Sequence, residues 1–424
     1  MRNHIAFCFL LLLVGCAETA TVGNNENGVA SDAAQEVVYD DPHVRSVQLH
    51  PDQSETALPI VELGSSLTLR LAFDIVEAPG RPLSIYIYHA NRDWERDLFP
   101  SEFLTSFHQD EILDYRASGA TIVPYVHYEY SLPNRDIDFK KSGNYVLRIA
   151  EQGEEQEPLF ERRFFVTEQS TPVEMGLDRV MVAGNRSSSI QPIVRFRAPD
   201  ANANAFDYSV CFVRNADLEE RRCVTRPSLD VLPDMAFYLR PDEAFEAHPA
   251  NYFIDLSEIR TGGRIERANQ QTTPWRMEIE PDYARFSGTQ LAPFLNGQMV
   301  IRSANRFVSE PDYSSEYVDA IFKFVTPDGA PISGNVFITG SFNNWQVQPE
   351  NALNWNTVSN GYEAKVLLKQ GHYEYQYVTS NEVLNRAMNN GLPQLENLYT
   401  SFIYYHDLFA RTDRLIAVQA IKSE

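Results

Sequence analysis

The sequence predicts an all-β fold of tandem β-sandwich modules, and three observations predict it. Apolar residues recur with period two in short runs, as Val126, Tyr128, Tyr130 and Leu132 do opposite His127 and Glu129. Turn residues separate the runs, as at Ala78-Pro79-Gly80, Pro133-Asn134 and Ser142-Gly143-Asn144. Hydrophobic residues make up 43% and aromatics 12% of 424 residues, enough apolar surface for large cores and too much for a disordered chain. Alternation marks half-buried strands, and many short strands spaced by turns read as sandwiches. The balance of 36 Lys+Arg against 58 Asp+Glu, a formal net charge of -22, argues against a nucleic-acid partner, which needs a concentrated basic face.

The chain opens with Arg2 and an uncharged run from Ile5 to Val14. That run is too short to cross a bilayer, which takes about 20 apolar residues. Leu13-Val14-Gly15-Cys16 follows and resembles a bacterial lipobox. The resemblance implies a lipoprotein signal peptide over residues 1–15, cleavage before Cys16, and acylation of Cys16 by palmitate-like chains. An ordinary signal peptide with an incidental cysteine is the alternative. Ala17, not Asp, after the cysteine implies the outer membrane; the periplasmic side is expected and surface display stays open. Residues 16–42 form an acidic tether without Lys or Arg, whose root-mean-square reach is about 30 Å.

The first module is expected over residues 43–168, with alternation at Leu67, Leu69 and Leu71, at Tyr145, Leu147 and Ile149, and at Phe160, Phe164 and Val166 opposite Glu161, Arg163 and Phe165. One helical turn is expected from Pro100, with Phe103, Leu104 and Phe107 on one side. A middle β-rich domain is expected over 171–315, with runs at Ile193–Phe196, Ser209–Val213 and Met235–Leu239. Cys211 and Cys223 flank the polar stretch Arg214–Glu220, and a hairpin centred near Asp217 sets them opposite each other. An exported chain meets oxidising surroundings, so a disulfide and a pair of buried thiols both fit. The last module is expected over 316–424. Its signals are Ala320–Val325, Val336–Gly340, an Asn360-Gly361 hairpin turn, then Tyr362, Ala364, Val366 and Leu368, and Tyr373, Tyr375 and Tyr377. That alternation reads as an immunoglobulin-like sheet.

No catalytic motif stands out. The nine His form no HExxH pair, and there is no GxSxG, P-loop or strand-borne GxGxxG. No catalytic residue, metal ligand, cofactor or small-molecule substrate is assigned, and His89 and His127 read as satisfied structural or surface histidines.

The tract Gly340-Ser341-Phe342-Asn343-Asn344-Trp345 resembles the signature of early-set glycogen- and starch-binding modules. That resemblance implies an immunoglobulin-like early-set domain and, as an alternative function, a lipid-anchored glycan-binding protein using Asn343, Asn344 and Trp345. A Trp345 packed under its own loop is the other reading.

Across the chain, Asp93-Trp94, Asp97–Leu104, Tyr125–Tyr128, Leu132-Pro133-Asn134, Phe237–Pro241, the GSFNNW tract and Tyr404-Tyr405-His406 resemble, in order, the type IX secretion plug proteins of Bacteroidota. The resemblance implies a non-enzymatic accessory of protein secretion that closes the periplasmic end of an outer-membrane translocon barrel. It implies that barrel as partner, with Asp93 and Trp94 as the interface residues singled out. The other reading of Trp94 is packing beneath the turn from Leu98 to Phe107.

Overall fold

The computed structural model describes residues 38–181, 188–199, 204–228, 234–246, 251–283, 293–326, 328–381, 385 and 396–423. Cys16, the signal peptide and the tether up to residue 37 lie outside the described residues.

The first module is a sandwich of two mainly antiparallel sheets. One runs Val44–Pro51, Leu69–Val76, Tyr125–Leu132, Asp114–Ala117 in spatial order. The other runs Ile60–Glu62, Pro158–Thr167, Gly143–Glu151, Leu83–Ala90, Gln109–Ile112. The expected alternation fills the space between them, where Leu71, Phe73, Tyr128, Leu147, Ile149, Phe160 and Phe164 share one core. The helical turn is the four-residue Pro100–Phe103, which buries Phe103 while Phe107 is 70% exposed.

The other two modules do not follow the expected boundary at 315/316. The second sandwich pairs Val173–Met181, Ser188–Phe196 and Met235–Tyr238 in one sheet. Its other sheet is Arg222–Val224, Tyr208–Arg214, Leu398–Asp407 and Thr412–Lys422, so the C-terminal hairpin belongs here. Tyr208 to Arg214 pair residue by residue with Tyr405 to Tyr399. The third module is a ten-stranded sheet that takes in Tyr252–Asp255, Ile265–Asn269, Trp275–Ile279 and Met299–Ile301 as well as the strands between 317 and 379. Burial decides the exchange. Phe402 and Ile403 turn opposite faces of one strand to buried surroundings, and Ile254, Met277 and Met299 complete the core of Phe322, Ile338 and Tyr375.

Asn360 and Gly361 also differ from expectation. Asn356 pairs with Gly361, so Asn360, at φ 49°, ends a four-residue loop, not a two-residue turn. Gly371 is demanded by close approach, since a Cβ there would lie 2.4 Å from the Val300 carbonyl oxygen.

Candidate functional site: two buried seams

The sandwich faces turned away from the cores would ordinarily meet water. Here two of them meet other modules, and the residues there are of two kinds.

The seam between the first and second modules is apolar. Leu58, Trp94, Val146 and Phe165 from the first module pack against Cys211, Val213, Phe402, Tyr404 and Leu415 from the second. Phe165 stacks on Phe402 with ring centroids 4.3 Å apart, and Trp94 meets Phe165 edge-on at 5.3 Å. Polar pairs accompany it: within the seam the buried Tyr404 donates to the buried Asn144 Oδ1 at 2.8 Å, and nearer the surface Arg414 holds both Glu168 oxygens at 2.8 Å.

Trp94 is therefore an internal wedge. It is 4% exposed, in a left-handed backbone conformation at φ 69°, with the Arg163 guanidinium 4.8 Å from its ring centre. This corrects its reading as a contact for an outside partner, because a buried indole presents nothing to one. Nor does it pack only beneath the turn that follows it. Asp93 stays half-exposed, paired with Arg92 at 2.9 Å and lying 3.6 Å from Arg221.

The seam between the first and third modules is charged. Asp74 and His127 are directly opposed on neighbouring strands of the first module, as are Tyr317 and Lys369 in the third. The two pairs face each other. Asp74 is fully buried; its Oδ2 accepts from Lys369 Nζ at 2.6 Å and from the Tyr317 hydroxyl at 2.6 Å, while its Oδ1 lies 2.6 Å from His127 Nδ1. The other nitrogen of that ring lies 3.2 Å from Glu129 Oε1. Arg70 Nη2 bridges Glu129 Oε1 at 2.6 Å and Asp312 Oδ2 at 2.8 Å.

Burial alone would push the Asp74 carboxyl up, but Lys369 and then His127 outweigh it and hold it below the ordinary carboxylate value. Burial lowers the Lys369 ammonium, opposed by Asp74. Glu129 is held low, first by its hydrogen bond from His127 and then, against burial, by Arg70. The oxygens of Glu129 and Asp312 and the His127 nitrogen lie close enough together to ligate a cation, but the place is taken by the fixed charge of Arg70.

A third meeting point carries the two remaining sets of residues. Cys211 and Cys223 are directly opposed in the Tyr208–Arg214 and Arg222–Val224 pair and form a disulfide. The hairpin beyond them places Asp217 and Leu218 beside Leu58 and Arg163 of the first module and Trp345 of the third. Arg163 pairs with Glu219 at 2.8 Å across that contact. Burial, together with nearby Glu220, pushes the Asp217 carboxyl up to about 6 despite two backbone N–H donors.

In the GSFNNW loop, Asn343 is spent on the loop itself. Its Oδ1 accepts from Gly340 N at 2.9 Å and its Nδ2 donates to the Gln346 carbonyl at 3.0 Å. Trp345 Nε1 donates to the Gly297 carbonyl at 2.8 Å, and Gly297 N donates to the half-buried Glu374 carboxylate at 2.8 Å. Asn344, at φ 54°, is the exposed member. Sequence reasoning missed Asp74, Lys369 and Glu374. Each lies on the polar face of an alternating strand, where a charge covered by other parts of the chain reads in sequence like one covered by water.

The fold and seams define a multi-sandwich protein whose buried polar groups are used to join its modules. Comparison with known proteins is specific about the first of them: residues 44–168 match the type 9 secretion system plug protein 1st domain, and the module belongs to that domain family. The match covers the first module and does not extend to the other two. A crystal structure of a hypothetical protein from Parabacteroides merdae shares the fold, with TM-score 0.82 and 22% identity over 91% of this chain and 98% of that one. No curated protein matches the chain. Among the described residues no helix is long and apolar enough to cross a membrane.

Proposed function

We propose that the chain is a non-enzymatic, outer-membrane-anchored accessory of type 9 secretion that closes the periplasmic end of the translocon barrel. The observation that carries this reading is the match of the whole first module to the plug family's first domain. Two physical features support it. A stopper must keep its shape under load, and both seams bury their central contacts. A wide barrel left open would leak solutes, so its closure calls for a stiff body held nearby. An acyl anchor at Cys16 would provide that proximity, since each buried CH₂ contributes about 0.8 kcal/mol and a tether raises the effective concentration of its cargo.

The test is copurification of a tagged, full-length chain from detergent-solubilised envelopes. A barrel-sized outer-membrane protein in near-equal amount is expected, and its absence from crosslinked as well as native preparations overturns the reading. Metabolic labelling with an alkynyl fatty acid is expected to mark the chain and to fail on Cys16→Ser; labelling of that variant would overturn the anchor without touching the plug role.

A further inference from the structure

The charged seam poses a question of proton inventory. Six ionisable groups meet there: Asp74, Glu129 and Asp312 against Lys369, Arg70 and His127. Charge balances only when the His127 ring carries its proton. Hydrogen bonding makes the same demand independently. Both ring nitrogens face carboxylate oxygens, Nδ1 at 2.6 Å from Asp74 and Nε2 at 3.2 Å from Glu129. A carboxylate only accepts, and a neutral imidazole has a single N–H, so one contact would become lone pair against lone pair.

We propose that this seam is a proton-dependent lock between the first and third modules, closed while His127 is charged and loosened when alkaline conditions remove its proton. The other groups around the ring do not offset that change. Tyr313 lies edge-on to it at 4.7 Å and donates to Glu129 at 3.1 Å. Arg116, opposite His127 on the neighbouring strand, is exposed and paired with Glu310 at 3.0 Å. Asp114 is exposed. Glu316 is occupied by the backbone N–H groups of Ile122, Val123 and Tyr317. Tyr125 donates to the Asp312 and Ser315 carbonyls, and its ring faces Lys369 Nζ at 4.1 Å. Within the six groups, the charges left beside a neutral ring would then sum to one uncompensated negative.

The direction of titration agrees. Burial works against the charged ring, but its bonds to Asp74 and Glu129 outweigh burial and raise its pKa above the ordinary 6.5. A group whose pKa is higher folded than unfolded gives its full stabilisation below the unfolded value and loses it as pH rises through the folded one.

Hydrogen exchange of the full chain, read as protection factors between about pH 6 and about pH 9, tests this. Amides of 70–76, 125–129 and 312–317 are expected to lose about tenfold or more of their protection on the alkaline side. Those beside Phe165 and Phe402 are expected to hold. Glu129→Gln replaces one acceptor charge with an amide and is expected to remove most of the alkaline loss; His127→Gln is expected to remove all of it. Unchanged seam protection in the native chain overturns the lock, as does a full native pH response in Glu129→Gln. A His127 ring that titrates by NMR at or below 6.5 overturns it as well.

Discussion

The two seams join the same first module to its neighbours by opposite means. The one around Trp94 and Phe402 is a second hydrophobic core: rings stack, and the polar groups buried beside them are paired by hydrogen bonds. The one around Asp74 and Lys369 has a small apolar patch of Val76, Val123, Tyr125 and Tyr317 beside a fully paired ionic network. An apolar seam tolerates small shifts in register and ignores pH. A buried ionic seam accepts one arrangement, because each charge taken from water must find its partner. The aromatic seam supplies adhesion and the ionic seam supplies orientation. The first module thus sits between an adhesive contact and an orienting one.

The contrast can be broken most sharply at Lys369. Lys369→Met leaves Asp74 buried with His127 and Tyr317 but without its ammonium, and is expected to cost about 3–5 kcal/mol in chemical denaturation. Converting the charged pair together, Asp74→Leu with Lys369→Met, is expected to recover much of that loss. Phe402→Ala tests the other seam and is expected to cost about 3–4 kcal/mol through the cavity beneath Phe165. Its loss should be the same at mildly acid and mildly alkaline pH, whereas a pH-dependent loss would show that the two seams are not separate in kind. Next in size is the disulfide at a sequence separation of 12. Cys211→Ser with Cys223→Ser is expected to cost about 2–3 kcal/mol by loop-closure entropy, read from the same denaturation curves.

The fold class and the first module were legible in the sequence because period-two alternation reports which face of a strand is apolar. Pairing partners were not. The strand Tyr208–Arg214 finds Leu398–Asp407 almost two hundred residues away, and no local pattern encodes that distance. The seams were half legible. Phe165 breaks the polar face of its strand, and an apolar residue on a polar face signals a second buried contact. His127 and Glu129 gave no such sign, since a charged face covered by another module looks in sequence like one covered by water. Trp94 drew attention for the right chemistry and the wrong partner: it is an interface residue, and the interface is internal. Cys16 is legible only as a motif.

The smallest expected effect sharpens the comparison where the modules come together. Asp217 sits in the hairpin that touches both other modules, with its carboxyl raised to about 6 by burial and by Glu220. Unlike Asp74 it has no cation at bonding distance among the described residues; its Oδ1 accepts the N–H groups of Glu219 and Glu220, at 3.0 and 3.3 Å. An amide oxygen can accept the same two bonds without the charge. Because the side chain is partly open to solvent, Asp217→Asn is expected to stabilise the protein by no more than about 1 kcal/mol at neutral pH. The gain should shrink as pH falls through the raised value and vanish only below the ordinary carboxylate value of about 3.9, where the carboxyl is neutral folded and unfolded alike. Thermal melting at neutral pH and at a pH below the ordinary carboxylate range reads both halves of that statement. If Asp217→Asn destabilises at neutral pH, the carboxylate charge is paired at this junction after all, and the junction behaves like the ionic seam and not like the aromatic one.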